Sequence, residues 1–226
     1  MSTEPVTPDS LIANHPETAY FWGHVAGAGR LRENSVTVET TDEAAAERLV
    51  AIADGGDVDH RSTERRYAHD TSITRSADEY TVQVFGDLAR RAAAAFGLPL
   101  DGEAGGYRFD SFDGHERQLL RGLVESSGTV CFKSSSGTVG VSFVHPDRRL
   151  LERIRTLLAD VPVDAPADEV SEASSGYWFG VADEAVPELG PWLYEGAAES
   201  GLFAPSRRRK LRRSLEEAAG SEAWCR

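Results

Sequence analysis

The sequence predicts an α+β fold made of two similar halves, each with the element order αββαββα. The first observation is a repeat, because the segment 20–31 (YFWGHVAGAGRL) resembles the segment 119–130 (LLRGLVESSGTV) found 99 residues later. The second observation is that the same alternation of strand-like and helix-like periodicity follows each copy. Internal repetition of this kind predicts a duplicated fold related by a pseudo-two-fold axis.

The elements of the first half follow from local signals. The helix of the first copy begins near Pro16 and Glu17, since proline is tolerated in a first helical turn and an acid there suits the helix dipole. Residues 60–75 are polar and are expected to form a strand and a loop. The remaining elements are predicted as strands over 35–39 and 79–85 and helices over 42–52 and 88–96.

The second half carries the matching elements in the same order. Its alternating apolar residues predict strands over 129–132, 138–144 and 177–181, and its helical patterns cover 146–158 and 187–200. A further helix over 205–219 is appended. The chain then divides as follows: a tail over 1–14, a first half over 15–97, a Gly/Asp-rich linker over 98–110, a second half over 111–203, a basic helix over 204–220 and a tail over 221–226.

The charge composition of the chain indicates the salt environment of the protein more than it indicates a binding partner. The chain has 37 acidic against 24 basic residues, a net charge of −13, and Lys133 and Lys210 as its only lysines. This balance resembles proteins of salt-loving archaea, whose carboxylate surfaces stay hydrated in molar salt. A nucleic-acid partner would therefore need a local basic surface. With no apolar run of 18 residues and no secretory signal, we expect a cytoplasmic protein without a membrane span.

Small residues recur on the helix of each copy. Gly23 and Gly27 lie four residues apart, as do Gly122 and Ser126, so each pair occupies one helix face. The two helices are predicted to pack closely against each other through these faces. With these helices, the duplicated element order and the spacing, the sequence resembles the LAGLIDADG homing-endonuclease family over residues 15 to 215. That resemblance implies saddle-shaped antiparallel sheets that lie along the DNA major groove.

The family's metal-binding acids are missing from the matching positions. In that family each motif helix ends with an acid directly before the final glycine, and the two acids hold divalent metal for phosphodiester hydrolysis. Here Ala28 and Ser127 occupy those positions. Glu125 lies two residues earlier and is expected to point away from the helix tip. The resemblance therefore implies a retained fold without cleavage chemistry, and we expect no bound metal or cofactor.

Basic residues are the candidates for DNA contact. Arginine pairs with guanine edges and phosphates, and a run of basic residues is a familiar nucleic-acid signal. An alternative is that these side chains pair with nearby acids on a solvated face, and the sequence leaves that choice open. The candidates are Arg30, Arg32, Arg61, Arg65, Arg66, Arg75 and Lys133 on the sheets, and Arg207, Arg208, Arg209, Lys210, Arg212 and Arg213 on the last helix.

Three functions from different classes follow. The leading hypothesis is a non-catalytic, double-stranded DNA-binding protein that acts as a regulator, similar to the WhiA-type factors but without their helix-turn-helix domain. The second is an accessory module that binds another protein or a small molecule, with an association to a cobalamin pathway as one option. The third is an active metal-dependent endonuclease that holds its metal through residues other than those at the family's acid positions. We expect a monomer, because the duplication supplies both halves in one chain.

Overall fold

The computed structural model describes residues 10–67 and 70–222, and the side chains among them except those of 63–67, 70–77, 221 and 222. It contains two four-stranded antiparallel sheets with helices packed around two central helices. The duplicated α+β architecture predicted from the sequence is confirmed.

The first half runs from α1 to α3. Its elements are α1 (Pro16–Ala28), β1 (Gly29–Arg32), β2 (Ser35–Thr40), α2 (Glu43–Ile52), β3 (Asp57–Tyr67), β4 (Asp70–Phe85) and α3 (Leu88–Phe96). A short 3₁₀ helix, Phe109–Phe112, precedes the second half.

The second half repeats this order and adds helices at its end. Its elements are α4 (Glu116–Ser126), β5 (Gly128–Lys133), β6 (Thr138–His145), α5 (Arg148–Ala159), β7 (Ser171–Ala173), β8 (Gly176–Val181), α6 (Val186–Tyr194), α7 (Ala197–Ser200) and α8 (Pro205–Glu222). A 3₁₀ turn, Asp183–Ala185, joins β8 to α6.

The two sheets have the same topology. The strand orders are β1-β2-β4-β3 and β5-β6-β8-β7, with antiparallel pairing throughout. In each half a central helix leads directly into the edge strand of its sheet. The ends of α1 and α4 therefore lie where the two sheets begin, which makes this junction the natural place to search for a site.

Two of the predicted segments have other bounds in the structure, and the short strands β1 and β7 were not among the predicted ranges. The strand expected over 79–85 is the second part of β4, which begins at Asp70 and pairs with β3 in a long hairpin. Residues 57–62 of this hairpin are exposed on both faces, so no alternating pattern marks them. The helix expected over 187–200 is interrupted at Gly196, whose φ of 66° places it in the left-handed region.

The core forms around the two central helices. Residues 17 to 27 of α1 are all buried, because α4 covers one side and the first half covers the other. Trp22 is fully buried, and its indole N–H donates to the carbonyl of Leu11 at 2.6 Å, which fixes the entering chain. In the described part of the chain, no helix is long and apolar enough to cross a lipid bilayer.

Candidate nucleic-acid interface

The central helices meet through reciprocal backbone contacts. A Cβ atom placed on Gly23 would lie 2.4 Å from the carbonyl oxygen of Leu119, and one placed on Gly122 would lie 2.4 Å from that of Tyr20. These two contacts exchange equivalent residues of the two copies, as a two-fold axis requires. Any side chain larger than hydrogen at either glycine would force the helices apart.

The same axis passes between the helix ends. A Cβ on Gly27 would lie 2.0 Å from the hydroxyl oxygen of Ser126, its own counterpart, and 3.0 Å from that of Ser127. The hydroxyl of Ser127 donates to the carbonyl of Leu123 at 3.0 Å. Ala28, the last residue of α1, is half-buried and offers a methyl group. The helix tips therefore meet through small, uncharged groups.

Gly29 and Gly128 make the turn from helix to strand possible. Gly29 has an extended backbone with φ −103° and ψ 176°, so it does not need the left-handed region. A Cβ there would lie 2.6 Å from the carbonyl oxygen of Val25, and one on Gly128 would lie 2.5 Å from that of Val124. Glycine is required at both positions because the strand leaves so close to the last helical turn.

Glu125 lies deep in the interface instead of at the tip. Its Oε2 accepts the Tyr20 hydroxyl at 2.7 Å and the backbone N–H of Ala204 at 2.9 Å, and lies 3.3 Å from Nε2 of His24. The Glu125 and His24 side chains are fully buried. Burial and the Glu125 carboxylate raise the pKa of the Tyr20 hydroxyl, which keeps it a donor. This carboxylate anchors the chain that leads into α8.

Arg121 completes this buried polar cluster. It is 1% exposed, and its guanidinium donates to the carbonyl oxygens of Leu193, Leu202 and Glu195 at 2.6, 2.7 and 3.2 Å. Burial lowers the pKa of Arg121, although the nearby Glu125 carboxylate opposes this effect. Three carbonyl acceptors satisfy most of the guanidinium donors, so Arg121 has a structural role in seating the segment after α6.

The outward face of the first sheet carries arginines and acids together. Leu31 is buried beneath the sheet, so the adjacent Arg30 and Arg32 lie on the opposite, exposed face. Arg61 belongs to the same face through its pairing with Glu79. None of these three arginines forms an ion pair with a described residue. The other charged side chains described on this face are Glu39, Asp57, Asp59 and Glu79.

The distal part of the β3–β4 hairpin holds the other predicted sheet arginines. Arg65 pairs in register with Arg75, and Arg66 pairs with Thr74. The side chains of these arginines lie outside the described residues, so their role in DNA contact stays a prediction. Their backbone positions continue the two strands that carry Arg61 and Glu79.

The described residues of the second sheet's outward face carry no net positive charge. Lys133 donates to both carboxylate oxygens of Asp183, at 2.7 and 3.0 Å, and the Thr138 hydroxyl donates to the same group at 2.6 Å. Burial alone would raise the pKa of Asp183, but these hydrogen bonds outweigh it and lower the pKa. The exposed Asp168 carboxylate also lies on this face, and the rest is small or apolar, with Val144 38% exposed and Trp178 half-buried.

The basic helix α8 has an outer side with several cations. Arg207 and Arg208 are half-buried, and the guanidinium of Arg208 lies 5.0 Å from the ring centre of Phe203. Arg209 and Lys210 are exposed and pair with no described acid. Arg212 and Arg213 pair with acids one turn further on, at 3.5 Å to Glu216 and 2.9 Å to Glu217.

The helix tips do not supply the ligands that the fold family's metal requires. Divalent magnesium prefers carboxylate oxygens, but the two tip positions hold a methyl group and a hydroxyl already donated to a carbonyl. Among the side chains that the structure describes, no three His, Cys, Asp or Glu residues gather closely enough to hold a metal ion. The residues present do not fit the metal.

Comparison with known families identifies the family to which the fold belongs. A LAGLIDADG family model described as "Putative archaeal homing endonuclease" matches residues 1–221. The chain belongs to the LAGLIDADG homing-endonuclease family. No curated protein matches it. This family membership accounts for the duplicated helices and the two sheets.

A solved homing-endonuclease structure shares the fold at low sequence identity. The homing endonuclease I-WcaI bound to its DNA recognition sequence is 10% identical, with 88% of this chain and 87% of that chain covered and a TM-score of 0.59. The crystal structure of I-DmoI in complex with DNA and Mn is 12% identical, with 84% and 98% covered and a TM-score of 0.43. At 10% identity the likeness to I-WcaI concerns the fold alone.

Proposed function

We propose that this chain is a LAGLIDADG protein that binds duplex DNA without cleaving it and acts as a regulator. The observation that carries the proposal is the pair of helix tips, where Ala28 and Ser127 stand in place of acids. Membership of a DNA-cleaving family supports DNA binding, and the chemistry of the tips argues against hydrolysis.

The absence of cleavage follows from what the tips can offer a metal ion. In-line displacement at a phosphodiester needs metal beside the attacking and leaving oxygens. Ala28 has no donor atom, and Ser127 is a neutral hydroxyl that donates to the Leu123 carbonyl. Glu125 does not replace them, because Tyr20 and the Ala204 N–H hold its carboxylate inside the protein.

DNA binding rests mainly on the first half. Arg30, Arg32 and Arg61 are exposed on one sheet face, and no described acid pairs with them. In the I-WcaI structure a chain of the same fold is bound to its DNA recognition sequence. Arginine binds phosphates and guanine edges, so these three side chains are the proposed contacts.

In the proposed complex with DNA, the second half contributes a surface that fits the duplex and the cations of α8. Its sheet does not contribute a basic face. The Lys133 ammonium is neutralised by Asp183, whereas Arg209 and Lys210 on α8 remain available. The acids between the first-sheet arginines limit nonspecific attraction to phosphates. Binding is therefore expected to depend on base contacts and fit as well as on counterion release, which suits a salt-rich cytoplasm.

The first experiment tests cleavage. Purified protein is incubated with supercoiled plasmid and pooled genomic fragments in the presence of Mg²⁺ or Mn²⁺, and nicking is followed on gels. We expect none from the natural chain. The double variant Ala28→Asp with Ser127→Asp is expected to gain metal-dependent nicking at sites the natural chain protects, and the Ala28→Asn, Ser127→Asn pair serves as its uncharged control. Metal-dependent nicking by the natural chain would overturn the proposal.

The second experiment tests the binding surface. Sequences retained from a random duplex library are identified, and their affinity is measured by fluorescence anisotropy at several salt concentrations. Arg61→Ala is expected to weaken binding by about 1–3 kcal/mol. Arg148→Ala removes the same charge from α5, where Arg148 pairs with Glu152, and should change affinity little. Failure of the natural chain to enrich any duplex would contradict DNA binding.

A second candidate function is supported by the outward face of the second sheet, whose described residues carry no net positive charge. With Lys133 paired to Asp183 and with Val144 and Trp178 accessible, this face is better suited to a protein partner than to phosphates. If the chain is an accessory module, it should show no affinity for duplex DNA. It should instead bind a protein partner, and Val144→Asp should abolish that binding. The library selection distinguishes the two functions directly.

A further inference from the structure

The connection that follows the second helix differs in length between the two halves. In the first half residues 53–56 lead from α2 to β3, whereas in the second half residues 160–170 lead from α5 to β7. The end of the longer connection is tied to the second sheet, since the Asp168 N–H donates to the carbonyl of Gly180 at 2.8 Å. The extra residues therefore stand beside the last turn of α5.

A cavity of about 570 Å³ lies between this connection and the end of α5. Leu158 and Ala165, which are 2% and 7% exposed, form its buried wall, and Val161 and Val163 are half-buried beside them. Two prolines of the connection also line the cavity and restrict the backbone there. The volume lies within the range of about 300–1,000 Å³ that is typical of small-molecule sites. The wall suits an aliphatic or aromatic group.

Arg155 lines this cavity with a guanidinium that has no acceptor. Its Nε is buried without a hydrogen-bond partner, and the side chain forms no ion pair with any residue whose side chain the structure describes. A buried donor of this kind is an exception, because buried polar groups are nearly always hydrogen-bonded. The missing acceptor can be supplied by a ligand, and a carboxylate matches the paired N–H groups of a guanidinium best.

The negative charge at the cavity comes from Asp164 and from the end of α5. Asp164 lines the same cavity, is exposed and forms no ion pair with Arg155. Ala159, the last residue of α5, is also part of the lining, and the final carbonyls of a helix carry the negative end of its dipole. The next residue, Asp160, is exposed and does not line the cavity. The lining therefore offers one cationic group and one side suited to a cation.

These three features together define the kind of ligand that fits. A simple organic anion would meet the Asp164 carboxylate and the helix end, and a simple cation would meet the Arg155 guanidinium. Each would place like charges together or leave a charged group of the cavity unpaired, which is unfavourable next to an apolar wall. A zwitterion with an apolar body satisfies both charges at once.

From these contacts we infer that the cavity at the end of α5 binds a free α-amino acid with an apolar side chain. Arg155 would bind its carboxylate, Asp164 and the last carbonyls of α5 would accept from its ammonium group, and the wall around Leu158 would cover its side chain. The site uses none of the residues proposed for DNA contact, so it is independent of the proposed function.

The test compares L-phenylalanine with two analogues, 3-phenylpropionate, which lacks the ammonium group, and 2-phenylethylamine, which lacks the carboxylate. Each is titrated into the natural chain without DNA, and NMR follows the amides of Val161 and Ala165 and the Arg155 Nε–H. We expect saturable shifts with phenylalanine and about tenfold weaker binding of each analogue, since each loses a charge-assisted hydrogen bond. The inference is wrong if these groups show no saturable shift, or if either analogue binds as tightly as phenylalanine.

Charge variants assign each end of the ligand to a residue. Arg155→Gln should weaken phenylalanine binding about tenfold and leave 2-phenylethylamine binding unchanged. Asp164→Asn should weaken phenylalanine binding and leave 3-phenylpropionate binding no weaker. Arg148→Gln and Asp160→Asn remove the same charges outside the lining and should have little effect. Equal losses in the lining variants and in these controls would overturn the assignment.

A blocking variant tests the location of the site. Ala159 is an exposed lining residue, so Ala159→Trp should cover the cavity and abolish phenylalanine binding, whereas Ala198→Trp, at an exposed position on α7, should bind like the natural chain. Pro162→Trp, at a second exposed lining position, replaces Ala159→Trp if that variant does not fold. Unchanged binding in a folded blocking variant would overturn the inference.

Discussion

The two halves of this protein share a backbone plan but differ in chemistry. In the first half, the sheet face carries exposed arginines and the central helix has Ala26, with a cavity beside it. In the second, Lys133 is neutralised by Asp183, and Glu125 holds the chain entering α8. The contacts that fix the fold are kept in both copies, whereas the side chains available to a ligand have diverged. Symmetry of fold therefore does not imply symmetry of function.

The largest effect is expected from removing the buried carboxylate. Glu125→Ala would leave the Tyr20 hydroxyl and the Ala204 N–H without their acceptor and Arg121 without a compensating charge. We expect a loss of about 3–5 kcal/mol in the free energy of unfolding, measured by denaturant titration. Ala26→Ser at the equivalent position should change it by less than about 1 kcal/mol. Equal losses at both positions would remove the difference between the halves.

The second prediction concerns what the halves share. Gly23→Ala places a methyl group against the Leu119 carbonyl, where no flexible side chain can yield, and is expected to cost about 2–3 kcal/mol. Gly220→Ala is the matched control, because a Cβ there meets nothing within 4 Å and should be neutral or slightly stabilising. Thermal unfolding measures both. A tolerated Gly23→Ala would mean that the helices are not held at this distance.

A third prediction uses the charge difference between the sheet faces and rests on the proposed DNA binding. Asp183→Asn keeps an oxygen for Thr138 but frees the Lys133 ammonium. We expect duplex affinity to rise about threefold to tenfold, and the slope of log affinity against log salt to steepen by about 0.9. Glu184→Gln removes a neighbouring exposed charge and serves as the control. An unchanged slope would exclude the second sheet from the DNA interface.

The smallest expected effect concerns His145, which precedes the cap of α5. Thr40 holds the equivalent position before the cap of α2. His145 Nδ1 accepts the Asp147 N–H, and Thr40 Oγ1 accepts the Asp42 N–H at 3.2 Å in the first half. Because burial lowers the pKa of His145 below 6.5, the unfolded chain binds more protons and folding stability falls as the pH drops below about 6.5. His145→Thr should flatten this dependence in unfolding curves recorded from pH 5 to 8. The prediction would be contradicted if the free energy of unfolding of the variant depended on pH as steeply as that of the natural chain.

Much of the architecture could be predicted from local sequence signals. Two similar segments 99 residues apart, each with a glycine at the same place (Gly23 and Gly122), identified the duplicated fold. Glycine is needed at both places because the helix backbones touch there. The long β3–β4 hairpin was underestimated because residues 57–62 of β3 are exposed on both faces and show no alternation. The break at Gly196 carried only a weak signal, a single glycine within a helical pattern.

The sequence alone determined the fold class, the central glycines and the uncharged residues at the helix tips, because these depend on residue type at fixed local spacing. Only the tertiary structure decided which charges are available. Lys133 meets Asp183 from 50 positions away, and Glu125 meets the Ala204 N–H from 79 positions away. Neither pairing has a local pattern, since each arises where separate elements pack together. The same is true of the cavity beside Ala26, whose lining comes from both halves.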